Sequence, residues 1–142
     1  MGFKKLYTAS AEATGGRDGK VKSSDGVIDT GLSVPKSLGG AEQAGTTNPE
    51  QLFASGYAAC FSSALNLVIG NQKIKTGQSR VTTTVHLGKD DTGFGLAVDL
   101  KAIIPGVSEE QAQALVEEAH KVCPYSKATS GNIEVNIMAE IE

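Results

Sequence analysis

The chemistry this sequence can offer centres on two cysteines, Cys60 and Cys123, in a chain of 142 residues. Taken alone, Cys60 reads as core packing, because free cysteine behaves as a small hydrophobe. Cys123 lies beside Pro124 at the end of a helix, where a backbone can move as a resolving thiol must. Two cysteines so far apart are not a CxxC pair, and a thioredoxin-like reading has no support. Two charged residues change the balance. Arg17 sits at a glycine-flanked turn tip, where a solvated charge is the default. Glu50 is the second residue of a helix, where the helix dipole alone accounts for it. Together with Cys60 they form the set peroxide chemistry needs. A thiolate is the nucleophile, an apolar setting raises the thiol pKa, a guanidinium restores the anion, and a carboxylate orients the guanidinium.

Other chemistries fit less well. His120 and Cys123 have ligand-like spacing and Cys60 supplies a third donor. A structural zinc site needs four ligands, and the remaining histidine, His86, falls on a strand face that reads as exposed. No metal and no cofactor are expected. A cysteine-hydrolase pairing is weak as well, because His120 is accounted for by charge complementarity at a helix terminus.

The element that positions Cys60 is a helix beginning at Asn48. Asn48 is a preferred N-cap, Pro49 fits the first helical position, and Gln51 completes a capping box. From Leu52 to about Asn71 the residues are apolar or small on nearly all sides, which predicts a buried helix. Before it, residues 3 to 34 read as short strands. Tyr7, Ala9, Ala11 and Ala13 alternate, and turns are expected at Gly15–Gly19 and Ser23–Gly26. After it, Val81, Val85 and Leu87 alternate with Thr82, Thr84 and His86, with Thr83 interrupting the apolar face. Asp90-Asp91-Thr92-Gly93 turns the chain into a second alternating strand, Phe94 to Ile104. Ser108 caps an amphipathic helix with Gln111 at the capping-box position, Pro124 stops it, and Cys123 falls at its frayed end. A strand over Ile133–Ile141 closes the chain. The order predicts one α+β domain over residues 1–142, antiparallel sheets packed around a long buried central helix. One small chain has little with which to cover such a helix on all sides, so a two-fold homodimer is expected.

A net charge of −3 leaves no footprint for nucleic acid or an anionic membrane. Met1-Gly2-Phe3-Lys4-Lys5 lacks the apolar run of a signal peptide. Leu52–Ile69 comes nearest to a membrane span, but Ser55, Ser62, Ser63 and Asn66 interrupt it. A cytoplasmic protein with resting thiols is expected.

Four stretches carry a family resemblance: Thr14-Gly15-Gly16-Arg17-Asp18-Gly19, Asn48-Pro49-Glu50-Gln51-Leu52-Phe53, Gly56-Tyr57-Ala58-Ala59-Cys60-Phe61 and Val122-Cys123-Pro124-Tyr125-Ser126. In this order they resemble the organic hydroperoxide resistance proteins, a subfamily of the OsmC-like family, over essentially the whole chain. The resemblance implies a cytoplasmic, intertwined homodimer acting as a thiol-dependent peroxidase on alkyl and fatty-acid hydroperoxides. It implies that Cys60 is the peroxidatic cysteine, that Cys123 resolves its sulfenic acid as a Cys60–Cys123 disulfide, and that Arg17 and Glu50 activate the thiolate. It implies a dithiol reductant carried by lipoylated proteins. Ser130 departs from the pattern, which has a basic residue after the resolving cysteine.

Geometry adds one expectation. If the central helix is unbroken, Glu50 and Cys60 lie about 15 Å apart along its axis. Glu50 then serves the Cys60 of a second, antiparallel copy crossing near Ser55-Gly56. A helix broken at Gly56 is the alternative. Three readings compete with the organic hydroperoxide peroxidase: a broad-specificity OsmC-like peroxidase, a non-catalytic redox sensor, and a structural dimer with inert thiols.

Overall fold

A computed structural model describes residues 2–141. They form two compact units, within Met1–Pro49 and Glu50–Glu142.

The first unit is a four-stranded sheet in the order β1-β2-β3-β4. Strands β1 (Ala11–Thr14), β2 (Lys20–Ser23) and β3 (Asp29–Leu32) pair antiparallel. Both expected turns are present. In the second, Asp25 Oδ1 accepts the Val27 N–H at 3.0 Å and Gly26 N–H bonds Ser23 O at 2.9 Å. Strand β4 (Thr46–Thr47) runs parallel to β3, which the glycine-rich sequence around it does not announce. It is held by a Ser33–Thr46 hydroxyl contact and by Gln43 N–H, which donates to Ser33 Oγ at 3.0 Å. The strand expected to include Tyr7 and Ala9 starts only at Ala11. The register ends at the Ala11–Ser23 pair and one further bond, from Ser24 N–H to Ser10 O at 2.9 Å, before Ser24 enters the turn, so Tyr7 and Ala9 have no strand to pair with. Phe3 and Tyr7 are 92% and 85% exposed.

The second unit holds α1 (Pro49–Asn71), β5 (Arg80–Asp90), β6 (Gly93–Ile103), α2 (Glu109–Val122), α3 (Pro124–Thr129) and β7 (Val135–Glu140). The β5–β6 hairpin is antiparallel, as its alternation predicts. Strand β7 adds to β6 in parallel, so this sheet, like the first, is mixed rather than purely antiparallel. A parallel neighbour requires a crossover, which α2 and α3 supply. Ser108 caps α2 as expected, its Oγ accepting the Gln111 N–H at 3.1 Å. Val98, Leu100, Ala102 and Ile104 meet Ala112, Leu115, Val116 and Ala119 of α2, and Tyr57, Phe61, Leu65 and Val68 of α1, in one buried cluster. Thr83 faces the same side as Val81 and Val85, and its buried Oγ1 has no hydrogen-bond partner.

The α+β class with a long central helix is as read from the sequence. Helix α1 is unbroken through Gly56, which removes the broken-helix alternative. It is long and apolar enough to cross a membrane, yet five of its side chains pack into the core. Burial on all sides is not met within one chain. Ser55, Ala59, Ser63 and Asn66 are exposed and Leu67 is 57% exposed, because one small sheet covers one face of a helix. A second correction concerns Cys123. Pro124 ends α2 but also opens α3, as its fixed φ and missing N–H allow at a first helical position. Cys123 is therefore a fully buried junction between two helices, not a frayed end.

Candidate active site

Cys60 lies in the middle of α1 and is half-buried, while Cys123 is wholly buried. The fold brings them together, with Cys123 Sγ 3.6 Å from Cys60 Sγ and both sulfurs free thiols. Closing that gap to a disulfide bond of about 2.05 Å takes a movement of roughly 1.5 Å. Burial pushes the Cys60 thiol above its ordinary pKa. Neighbouring Cys123 pushes it the same way, and the Tyr125 backbone N–H at the start of α3 pulls against both. Burial of a thiol disfavours the charged form, and an amide donor favours it.

Three aromatic rings pack together on the two helices that carry the thiols. Phe53 and Tyr125 are stacked at 6.2 Å between centroids, and Tyr57 is tilted against them at 5.9 Å and 5.7 Å. Gly56 makes room for this. A Cβ there would lie 2.9 Å from Tyr125 Oη and 3.3 Å from its ring, so the bare face of Gly56 is filled by this chain's own tyrosine. Its smallness makes room for that contact. Tyr57 and Phe61 are fully buried core. The accessible apolar surface is made by half-buried Phe53 and by Tyr125, 39% exposed.

Glu50 occupies the first turn of α1. It stands ten residues before Cys60 on an unbroken helix, about 15 Å away along the axis, so the chain does not bring these two together. Arg17 belongs to the first unit, in the short 3-10 turn Gly16–Asp18 between β1 and β2, and is half-buried. Glycines shape that turn. Gly15 has φ +77°, and a Cβ on Gly19 would lie 1.7 Å from Thr14 O. Both Arg17 and Glu50 are engaged in polar interactions.

The histidines divide. His86 is exposed and its Nε2 lies 2.8 Å from Asp99 Oδ2 on the outer sheet face. Asp99 is held below the ordinary carboxylate range first by Asn136 and then by His86. His120 is partly buried rather than exposed. Burial lowers its pKa and disfavours the charged form that dipole complementarity would need, and its Nε2 lies 3.4 Å from Ser130 Oγ. No cluster of three or more metal-binding side chains occurs among the described residues.

Sequence reasoning gave no separate role to Tyr125, Ser126 or Thr129. The signal was Pro124 directly after Cys123, which marks a helix start as readily as a helix stop.

Residues 40–138 match the family model described as OsmC-like protein. An organic hydroperoxide resistance protein of Xanthomonas axonopodis pv. citri is 50% identical over 135 residues, 94% of each chain. A crystal structure of an organic hydroperoxide resistance protein from Elizabethkingia anophelis superposes with a TM-score of 0.93 at 56% identity, covering 99% of this chain and 100% of that one. One from Legionella pneumophila superposes with a TM-score of 0.90 at 47% identity, covering 96% and 99%.

Proposed function

The chain belongs to the OsmC-like family, in its organic hydroperoxide resistance branch, and on that premise we propose that it is a thiol-dependent peroxidase reducing organic hydroperoxides to alcohols. The observation that carries this reading is the Cys60–Cys123 pair, two free thiols 3.6 Å apart in an aromatic setting. In this reading residues 1–142 act as one domain in the cytoplasm.

The Cys60 thiolate attacks the terminal peroxide oxygen. The O–O bond breaks, the alkoxide takes a proton and leaves as the alcohol, and the sulfur, oxidised by two electrons, becomes a sulfenic acid. Cys123 then attacks that sulfur. An S–S bond forms, the S–O bond breaks, and hydroxide departs as water with the Cys123 proton. A dithiol, in this family one carried by lipoylated proteins, reopens the disulfide by two exchange steps and is itself oxidised to a disulfide. Phe53 and Tyr125 offer alkyl chains an apolar surface that hydrogen peroxide cannot use, which favours alkyl and fatty-acid substrates.

Burial works against the Cys60 thiolate, so a cation must offset it. In this reading that cation is Arg17, oriented by Glu50, as the family resemblance implies. Because α1 is continuous, the partner's Glu50 is the one assigned in this reading to each Cys60, in a two-fold dimer whose helices meet along the open Ser55, Ala59, Ser63 and Leu67 face. Mixing a Glu50→Ala chain with a Cys60→Ser chain tests this. Sites shared between subunits leave one working site per heterodimer, and sites within one subunit leave none.

The activity itself is tested by intact-mass analysis of reduced protein given one equivalent of cumene hydroperoxide or hydrogen peroxide. Fast loss of two hydrogens with the organic peroxide, mapping to Cys60–Cys123, is expected. Equal response to both peroxides supports the broad-specificity reading. Oxidation without turnover by a dithiol supports a redox sensor, and no change within seconds means inert thiols.

A further inference from the structure

Helix α3 carries Cys123 at its N-cap and the Tyr125 amide that faces Cys60, and apart from the Tyr125 ring contacts it has little apolar packing to keep it in place. It is six residues long, too short to be helical on its own. Its buried side chains are Ser126 and Thr129, so its inward face offers hydroxyls where α2 offers a full apolar stripe. Both hydroxyls converge on one group. Tyr57 Oη lies 2.8 Å from Ser126 Oγ and 3.2 Å from Thr129 Oγ1, and Thr129 Oγ1 donates in turn to Ser126 O at 3.2 Å. Tyr57 is fully buried and precedes Cys60 by three residues on α1, so the two lie one turn apart on neighbouring surface. One turn of a rigid helix thus carries both the nucleophile and the anchor for the segment that brings the second thiol.

We propose that Tyr57 is a positioning residue for disulfide closure, its hydroxyl seating α3 through Ser126 and Thr129 so that Cys123 Sγ stands in line with Cys60. This rests on the peroxidase reading above and adds a specific role within it. The step it serves is attack of Cys123 on the Cys60 sulfenic acid, with water leaving. Peroxide reduction at Cys60 depends on α3 only through the Tyr125 amide, whereas closure needs Cys123 itself brought to bonding distance, so the two half-reactions respond unequally in a Tyr57→Phe variant. The ring still fills the core and only the hydroxyl is lost. If the three hydroxyls merely satisfy one another, their removal lowers stability and leaves the partition between sulfenic acid and disulfide unchanged.

The experiment is a single turnover with cumene hydroperoxide in the presence of dimedone, read by intact mass, for wild type, Tyr57→Phe, Ser126→Ala and Ser126→Thr. Peroxide consumption in Tyr57→Phe is expected within about twofold of wild type. Closure slows about tenfold, the scale of one lost buried hydrogen bond, so dimedone adducts accumulate on Cys60. Ser126→Ala shifts the same way, and Ser126→Thr, which keeps a hydroxyl, closes at nearly the wild-type rate. Unchanged closure in both Tyr57→Phe and Ser126→Ala overturns the proposal. A parallel arm uses diamide, which closes a dithiol without peroxide chemistry. Wild type that ignores hydroperoxide but closes with diamide refutes the peroxidase reading alone, and equal diamide rates for wild type and Tyr57→Phe refute the positioning role alone.

Discussion

Oxidising the Cys60–Cys123 pair should make the protein more resistant to heat, and the size of the effect follows from where the fold puts the two sulfurs. The cysteines are 63 positions apart in sequence. Linking them removes loop-closure entropy from the unfolded chain, about 4 kcal/mol for a loop of that length. Against this stands the cost of closing the native gap from 3.6 Å. A shift of roughly 1.5 Å, shared between two side chains and a short helix, costs about 1 kcal/mol at the scale of an off-rotamer side chain. The net gain is about 3 kcal/mol. In a chain of 142 residues this raises Tm by roughly 6–12 °C. The assay is thermal unfolding of fully reduced and fully oxidised protein at one protein concentration, since an oligomer's Tm depends on concentration. Mass mapping must confirm the bond, and Cys123→Ser should show no shift after the same treatment. Oxidised protein that melts at or below the reduced form would refute the reasoning. It would mean that the native state loses as much on closing the bond as the unfolded chain does, and that the thiols are not poised for closure.

Three further outcomes follow from individual residues. In Arg17→Ala, Cys60 keeps its burial and loses its proposed cation, so the thiolate fraction at pH 7 drops. Alkylation by iodoacetamide should slow by about tenfold or more and recover only as pH rises, while an unchanged pH–rate profile would remove Arg17 from thiolate activation. Leu115→Ala empties a core position that is 1% exposed and should cost about 3 kcal/mol in urea unfolding; a loss below about 1 kcal/mol would show that the α2–sheet core collapses around the gap. Thr83→Val replaces an unpartnered buried hydroxyl with a methyl on the apolar side of β5 and should gain about 1 kcal/mol in the same assay. Destabilisation would mean that the hydroxyl has a partner in the assembled protein.

Local patterning carried much of this protein. The β5–β6 hairpin, the Ser108 cap and the core stripe of α2 were legible because alternation, capping and helical spacing are short-range rules satisfied within a few residues. Asn48, Pro49 and the long apolar run likewise determined α1 and placed Cys60 at its middle. The resemblance motifs named Arg17, Glu50, Cys60 and Cys123 as a set. What local rules could not supply was anything that depends on a distant partner. Alternation through Tyr7 and Ala9 made no strand, because a strand exists only where another chain segment completes its hydrogen bonds. The two-residue β4 exists because β3 is beside it. Pro124 was read as a stop because sequence shows only the helix it ends, whereas the folded chain supplies Tyr57 to hold the helix it begins. The meeting of Cys60 and Cys123, the filling of Gly56 by Tyr125 and the burial of His120 all belong to tertiary structure. Each arises from packing between segments far apart in sequence, where it is the space left by neighbours, rather than the residue's own preference, that decides what a side chain does.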